Sequence, residues 1–71
     1  MIASQMIKDR IRSLGLRQED VGASIGLKQS TFNQKLNNVR PMLLEEAEKI
    51  ANVLGITDSE FRAYFFSHDV A

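Results

Sequence analysis

Apolar residues recur along this chain at three- and four-residue spacing, the mark of amphipathic helices, and the pattern predicts five helices and no strands. Ile7, Ile11 and Leu14 form one stripe of a first helix over residues 4–14, with Ser4 a good N-cap and Gly15 its stop. A second helix covers residues 18–25, with Val21 and Ile25 on one face; Glu19 and Asp20 lie in its first turn, where the helix dipole favours acids. A third covers residues 29–37, with Phe32 and Leu36 on one face and Lys28 in a capping position that Ser or Thr usually fills. Asn37-Asn38-Val39-Arg40-Pro41 reads as a loop, because Asn-Asn favours turns and Pro41 biases Arg40 away from helical geometry. A fourth helix spans residues 42–54, with Leu44, Ala47, Ala51 and Leu54 inward and Gly55 closing it. Thr57-Asp58-Ser59-Glu60 reads as a capping box for a fifth, which carries Phe61, Tyr64 and Phe65 at i, i+3 and i+4. The compact solution for such elements is an all-α bundle of five short helices. Neither a repeat nor a linker divides the chain, so one domain is expected over residues 1–71, with 67–71 loose.

The junction between the second and third helices carries the most information. Gly26 falls one residue after the first apolar face ends, where a left-handed backbone costs a glycine little. Gly22 lies four residues earlier, on the side where the third helix must cross closely. Lys28, Gln29, Ser30, Asn33, Gln34 and Asn37 remain for the outer face of the third helix. That row holds donors and acceptors but no carboxylate, which suits contact with base edges in a duplex groove. Helix, glycine turn and amide-rich helix make the helix-turn-helix pattern. Gln29, Ser30, Asn33 and Gln34 are the candidate base readers, Gln29 foremost, since its amide can bond both N6 and N7 of adenine. The competing reading is an ordinary solvated helix face.

Composition changes this picture little, whereas the distribution of charge changes it a good deal. Hydrophobic residues make up 44% and charged residues 25% of the chain, values that argue against disorder. A chain of 71 residues buries only about 60% of its unfolded surface and gains from dimerising. The absence of cysteine excludes disulfide staples and thiolate metal sites, and the one histidine, His68, makes no metal site. No apolar run reaches the roughly 20 residues of a membrane span, and the N-terminal MIASQMIKDR lacks a signal-peptide core, so a cytoplasmic protein is expected. The net charge is zero, yet residues 1–40 hold seven basic side chains against three acidic ones and residues 41–71 hold two against six. The positive end coincides with the proposed reading helix. Arg17, Lys28, Lys35 and Arg40 are therefore candidate phosphate contacts, which set register but carry no sequence information. Arg10 and Arg12 are lesser candidates, with Asp9 or a fourth-helix glutamate as alternative partners.

The motifs LGLRQEDV, GLKQST, NNVRP and EEAEKIANVLGITDSEF, in that order between Ile7 and Phe65, resemble the lambda-repressor-like helix-turn-helix family, the Cro/CI and XRE-type regulators of phages and bacteria. The resemblance implies that Gln18 contacts a phosphate and that Gln29, Ser30, Asn33 and Gln34 face base edges. It implies too that the loop from Asn37 through Asn38 to Arg40 grips the DNA backbone, often at a dimer axis. Members typically bind pseudo-palindromic operators as homodimers. Three departures stand out. Gly22 replaces the usual Ala, at a cost of up to ~1 kcal/mol in helix propensity. Ile11 and Leu36 occupy positions that often hold an Arg–Glu pair, a joint exchange that can be neutral or stabilising. Lys35 stands where an apolar residue usually packs, so either its stem lies along the core while its ammonium reaches a phosphate, or the third helix is rotated or frays early.

Outside that motif, Phe61 and Phe65 are expected to finish the core, and Tyr64 and Phe66 to form a self-complementary dimer patch. Glu45, Glu46 and Glu48 read as a solvated face distal to DNA. No Ser/His/acid set, glycine-rich phosphate loop or metal-ligand spacing supports catalysis, a cofactor or a small-molecule ligand. The sequence thus reads as a transcriptional regulator, a repressor in particular, binding double-stranded DNA as a homodimer with its third helix in the major groove. The alternative is a protein-interaction module on the same fold, such as an antitoxin or regulatory adaptor.

Overall fold

In a computed structural model, which describes residues 1–65, the chain forms α1 (Ser4–Ser13), α2 (Gln18–Ser24), α3 (Gln29–Leu36), α4 (Leu44–Leu54) and α5 (Asp58–Phe65), with no strand among those residues. The apolar stripes close on one core. Ile7, Ile11, Val21, Phe32, Leu36, Ile50, Leu54 and Phe65 are buried almost completely. Burying a side chain of this size contributes about 1.5–3 kcal/mol, the main stabilising term in so small a chain. Ile11 and Leu36 share this core, so the family's polar pair is replaced here by two apolar side chains.

Glycines set the ends of the helices that frame α3. Gly15, Gly26 and Gly55 all adopt left-handed φ angles, at +72°, +82° and +67°. Gly22 has a different task. A methyl group built on it would lie 3.0 Å from both Cβ and Cγ of Phe32, so the missing side chain is what lets α3 cross α2 this closely. That contact fixes how α3 is carried.

Several helix ends differ from expectation. Ala3, not Ser4, is the N-cap of α1, and no side chain caps it. Leu14 is 47% exposed instead of inward, because α1 ends at Ser13 and the chain turns away at Gly15. α4 starts at Leu44 rather than at 42, since Leu43 is extended and its N–H donates to Glu46 Oε1 at 2.9 Å. Leu44 is consequently 55% exposed, while Met42, in the extended entry, packs on the core and Ile50 joins the inward stripe. Glu60 reaches back to the Thr57 N–H at 3.1 Å, half of the anticipated capping box. Among the described residues Arg10 forms no ion pair with a carboxylate. Its Nε and Nη2 donate to the carbonyls of Leu54 and Gly55 at 3.0 and 2.9 Å, supplying donors and positive charge at the C-terminus of α4.

Candidate nucleic-acid interface

α2 and α3 present one exposed polar row. The turn between them is closed by N–H groups of Gly26 and Leu27 donating to the carbonyls of Ala23 and Gly22, at 3.0 and 2.9 Å. Lys28 is extended and α3 begins at Gln29 without a side-chain cap. Phe32 and Leu36 then point inward with no exposure, which turns the opposite face of α3 to the surface. There Gln29, Ser30 and Gln34 are exposed and Asn33 is half-buried. Among the described residues none of these four side chains has a hydrogen-bond partner within the chain. Four adjacent polar side chains are thus uncommitted, held on a helix whose inner face is locked.

The basic residues divide into two groups. Arg17, Lys28 and Arg40 are exposed, Arg17 with a 3.5 Å ion pair to Glu19 in which both side chains remain open to solvent. Such a pair is weak and readily exchanged. Gln18 is half-buried at the start of α2. Lys35 belongs to a different environment. Its stem follows the core as expected, but its ammonium turns to Glu46, at 2.7 and 2.6 Å from the two carboxylate oxygens, and only 11% of the side chain is exposed. The first turn of α4 thus lies beside the last turn of α3, and with Phe32 and Leu36 both buried α3 neither rotates nor frays early. Glu46 is accordingly no part of a solvated acidic face. Burial pushes its carboxyl pKa up, but hydrogen bonds from Lys35 and the Leu43 N–H, with the charges of Lys35 and Lys49, more than offset this and leave it below the usual carboxylate value.

The loop after α3 is also more committed than expected. Asn38 has a left-handed φ of +62°. Its Oδ1 accepts from the Ile2 N–H at 2.9 Å and its Nδ2 donates to the Ile2 carbonyl at 3.0 Å. Both ends of its amide are thus used to strap the N-terminal segment, leaving that side chain little capacity for a phosphate. Asn37 donates to the Asn33 carbonyl at 2.9 Å and accepts from Lys8 Nζ at 2.6 Å. Lys8 escaped the sequence reading, since nothing in its neighbours along the chain connects it to a residue 29 positions away. Tyr64 is half-buried against the core, and its backbone carbonyl accepts from the Ala3 N–H at 2.8 Å; Phe66, its expected companion in a dimer patch, lies outside the described residues, as do 67–71. Among the described residues the most exposed large apolar side chains are Met1, Val39, Leu43 and Leu44. Among the described residues no cluster of His, Cys, Asp or Glu could hold a metal, and no helix is long and apolar enough to cross a membrane.

A helix-turn-helix family model matches residues 7–61, from the middle of α1 into α5 and across the whole of this surface. The chain belongs to the XRE-type, lambda-repressor-like helix-turn-helix family. Comparisons with curated proteins and with solved structures give no match. As a family of DNA-binding regulators, helix-turn-helix proteins read DNA with the second helix of the motif, which is α3 in this chain.

Proposed function

We propose that this helix-turn-helix protein is a sequence-specific transcription regulator, a repressor, that binds a pseudo-palindromic operator as a homodimer in the cytoplasm. α3 of each subunit enters the major groove, with the two grooves about one helical turn (~34 Å) apart. Gln29, Ser30, Asn33 and Gln34 read base edges, while Arg17, Gln18, Lys28 and Arg40 contact phosphates. The observation that carries this reading is the row of four polar side chains without internal partners on the outer face of α3. Repression then follows from occupation of a promoter. The homodimer is supported by the exposed apolar edge at Met1 and Val39, which line one shallow pocket and which a second copy would remove from water.

The same edge supports a second reading, an antitoxin or adaptor that holds a partner protein. The two are separated by selecting a site from random duplexes, then measuring its affinity for wild type and Gln29→Ala over a salt series, together with mass in solution. Base reading requires a loss confined to one operator position and a dimeric mass. Equal weakening on every sequence would make Gln29 a phosphate contact. Salt-insensitive protein capture without duplex binding would favour the adaptor.

A further inference from the structure

We propose that Lys8 and Arg12 of α1, together with Gln18 of α2, clamp a phosphodiester of the bound DNA at one end of the base-reading row. This rests on the reading of α3 given above and adds a backbone contact on α1. An open cleft of about 440 Å³ lies between α1 and α2, lined by Lys8, Ile11, Arg12, Gly15, Leu16 and Gln18. Two cations and an amide thus stand around one depression whose wall includes the buried Ile11.

The link to the reading helix is a hydrogen bond. Lys8 Nζ donates to Asn37 Oδ1 at 2.6 Å, and Asn37 in turn bonds the Asn33 carbonyl. Gln29, Asn33 and Asn37 follow one another at four-residue steps, so they share one stripe, and Lys8 is attached to its C-terminal end. The partner of Lys8 is a neutral amide; among the described residues no carboxylate forms an ion pair with it. An ammonium has three donors, and two remain for a phosphate oxygen. Among the described residues Arg12 forms one ion pair, with Asp9 at 3.9 Å, and the two side chains are 80% and 59% exposed. Asp9 also accepts from Gln5, so it is not left bare when Arg12 turns away. An exposed pair of that length has almost no holding power against a phosphate. In helix-turn-helix docking the helix preceding the recognition helix crosses the sugar-phosphate backbone; here α1 extends that crossing.

The test uses a fluorescent random-sequence duplex and the selected site, titrated over a salt series with wild type, Lys8→Ala, Lys8→Arg, Arg12→Ala and Lys49→Ala. Each neutralised phosphate contributes about 0.9 to the slope of log affinity against log salt. Lys8→Ala and Arg12→Ala should each flatten the slope by about that amount and weaken both duplexes by the same factor. Lys8→Arg should restore the slope, and Lys49→Ala, on the acidic half, should retain it. Lys8→Ala also releases Asn37, whereas Arg12→Ala breaks no bond to α3, so agreement between them excludes an indirect effect on the helix. Inorganic phosphate at constant ionic strength should show no saturable binding. A wild-type slope in both alanine variants overturns the clamp and leaves base reading by α3 standing. Saturable phosphate binding without a slope change, or a loss at one base position only, overturns it as well. Absence of any salt-dependent duplex binding by the wild-type protein overturns both readings.

Discussion

The two faces of α3 differ in almost every respect that matters physically. Inward, Phe32 and Leu36 have no exposure, and beside them Lys35 is held on both oxygens of Glu46. Outward, Gln29, Ser30 and Gln34 are exposed and make no side-chain hydrogen bond within the described chain. One face is over-determined and the other unsatisfied. A reading helix requires both, because uncommitted donors and acceptors discriminate bases only when the helix beneath them cannot adjust to a wrong partner. The basic residues repeat the contrast: Lys35 and Lys8 both lie near the end of α3, yet one is neutralised by a carboxylate and the other rests on an amide.

Substitutions on the inner face should be the most damaging. Phe32→Ala empties the centre of the core and should cost about 3–5 kcal/mol, enough to unfold much of a chain this small in a denaturant titration. A variant that lost under 1 kcal/mol would mean that α3 is not anchored from within. Glu46→Ala strands the Lys35 ammonium and leaves the Leu43 N–H without its acceptor. With both side chains near the surface of a thin bundle, about 2–3 kcal/mol is expected, at the lower edge of the range for broken buried pairs. Replacing both partners, Lys35→Met with Glu46→Leu, should return the share of that loss owed to the stranded charge, while the Leu43 N–H still lacks its acceptor.

Gly22→Ala comes next. Alanine gains up to ~1 kcal/mol of helix propensity, but its methyl meets Phe32 at 3.0 Å and Phe32 is enclosed, so a net loss of about 1–2 kcal/mol should appear in thermal unfolding. Coupled with Phe32→Leu, the same change should be better tolerated; a stabilised single variant would disprove the close crossing. The pH dependence is smaller. The folded Glu46 carboxyl lies below its ordinary value of 4.5, so the unfolded chain takes up the proton first as the pH falls. Its contribution is therefore complete above the unfolded value and is lost as the pH falls through the folded one. Glu60, lowered chiefly by the hydrogen bond from the Thr57 N–H, acts in the same direction. Glu46→Gln should flatten the acid limb of the stability profile. The smallest effect on folding belongs to the outer face, where Gln29→Ala should change stability by no more than about 0.5 kcal/mol while altering base discrimination.

Much of the fold could be read from the chain because its signals are local. The stripes Ile7–Ile11, Val21–Ile25 and Phe32–Leu36, and the stops at Gly15, Gly26 and Gly55, involve residues within a turn or two of one another, and the helices and turns follow them. The row Gln29–Gln34 could be assigned to the outer face for the same reason: once Phe32 and Leu36 are inside, geometry puts those residues outside. Leu44 misled because the helix begins there rather than two residues earlier, so it lies at the open end of the inner stripe and not within it.

Periodicity and turn chemistry in the sequence thus determined that there are helices, where most of them stop, and which side of α3 faces out. Tertiary structure alone decided what each polar side chain does there. Lys35 meets Glu46 across 11 residues, Asn38 straps Ile2 across 36, and Arg10 caps α4 across 44. Hydrophobic spacing constrains a helix face over three or four residues, but a hydrogen bond is chosen by whichever donor and acceptor packing brings within about 3 Å, and that distance exists only once the helices are assembled.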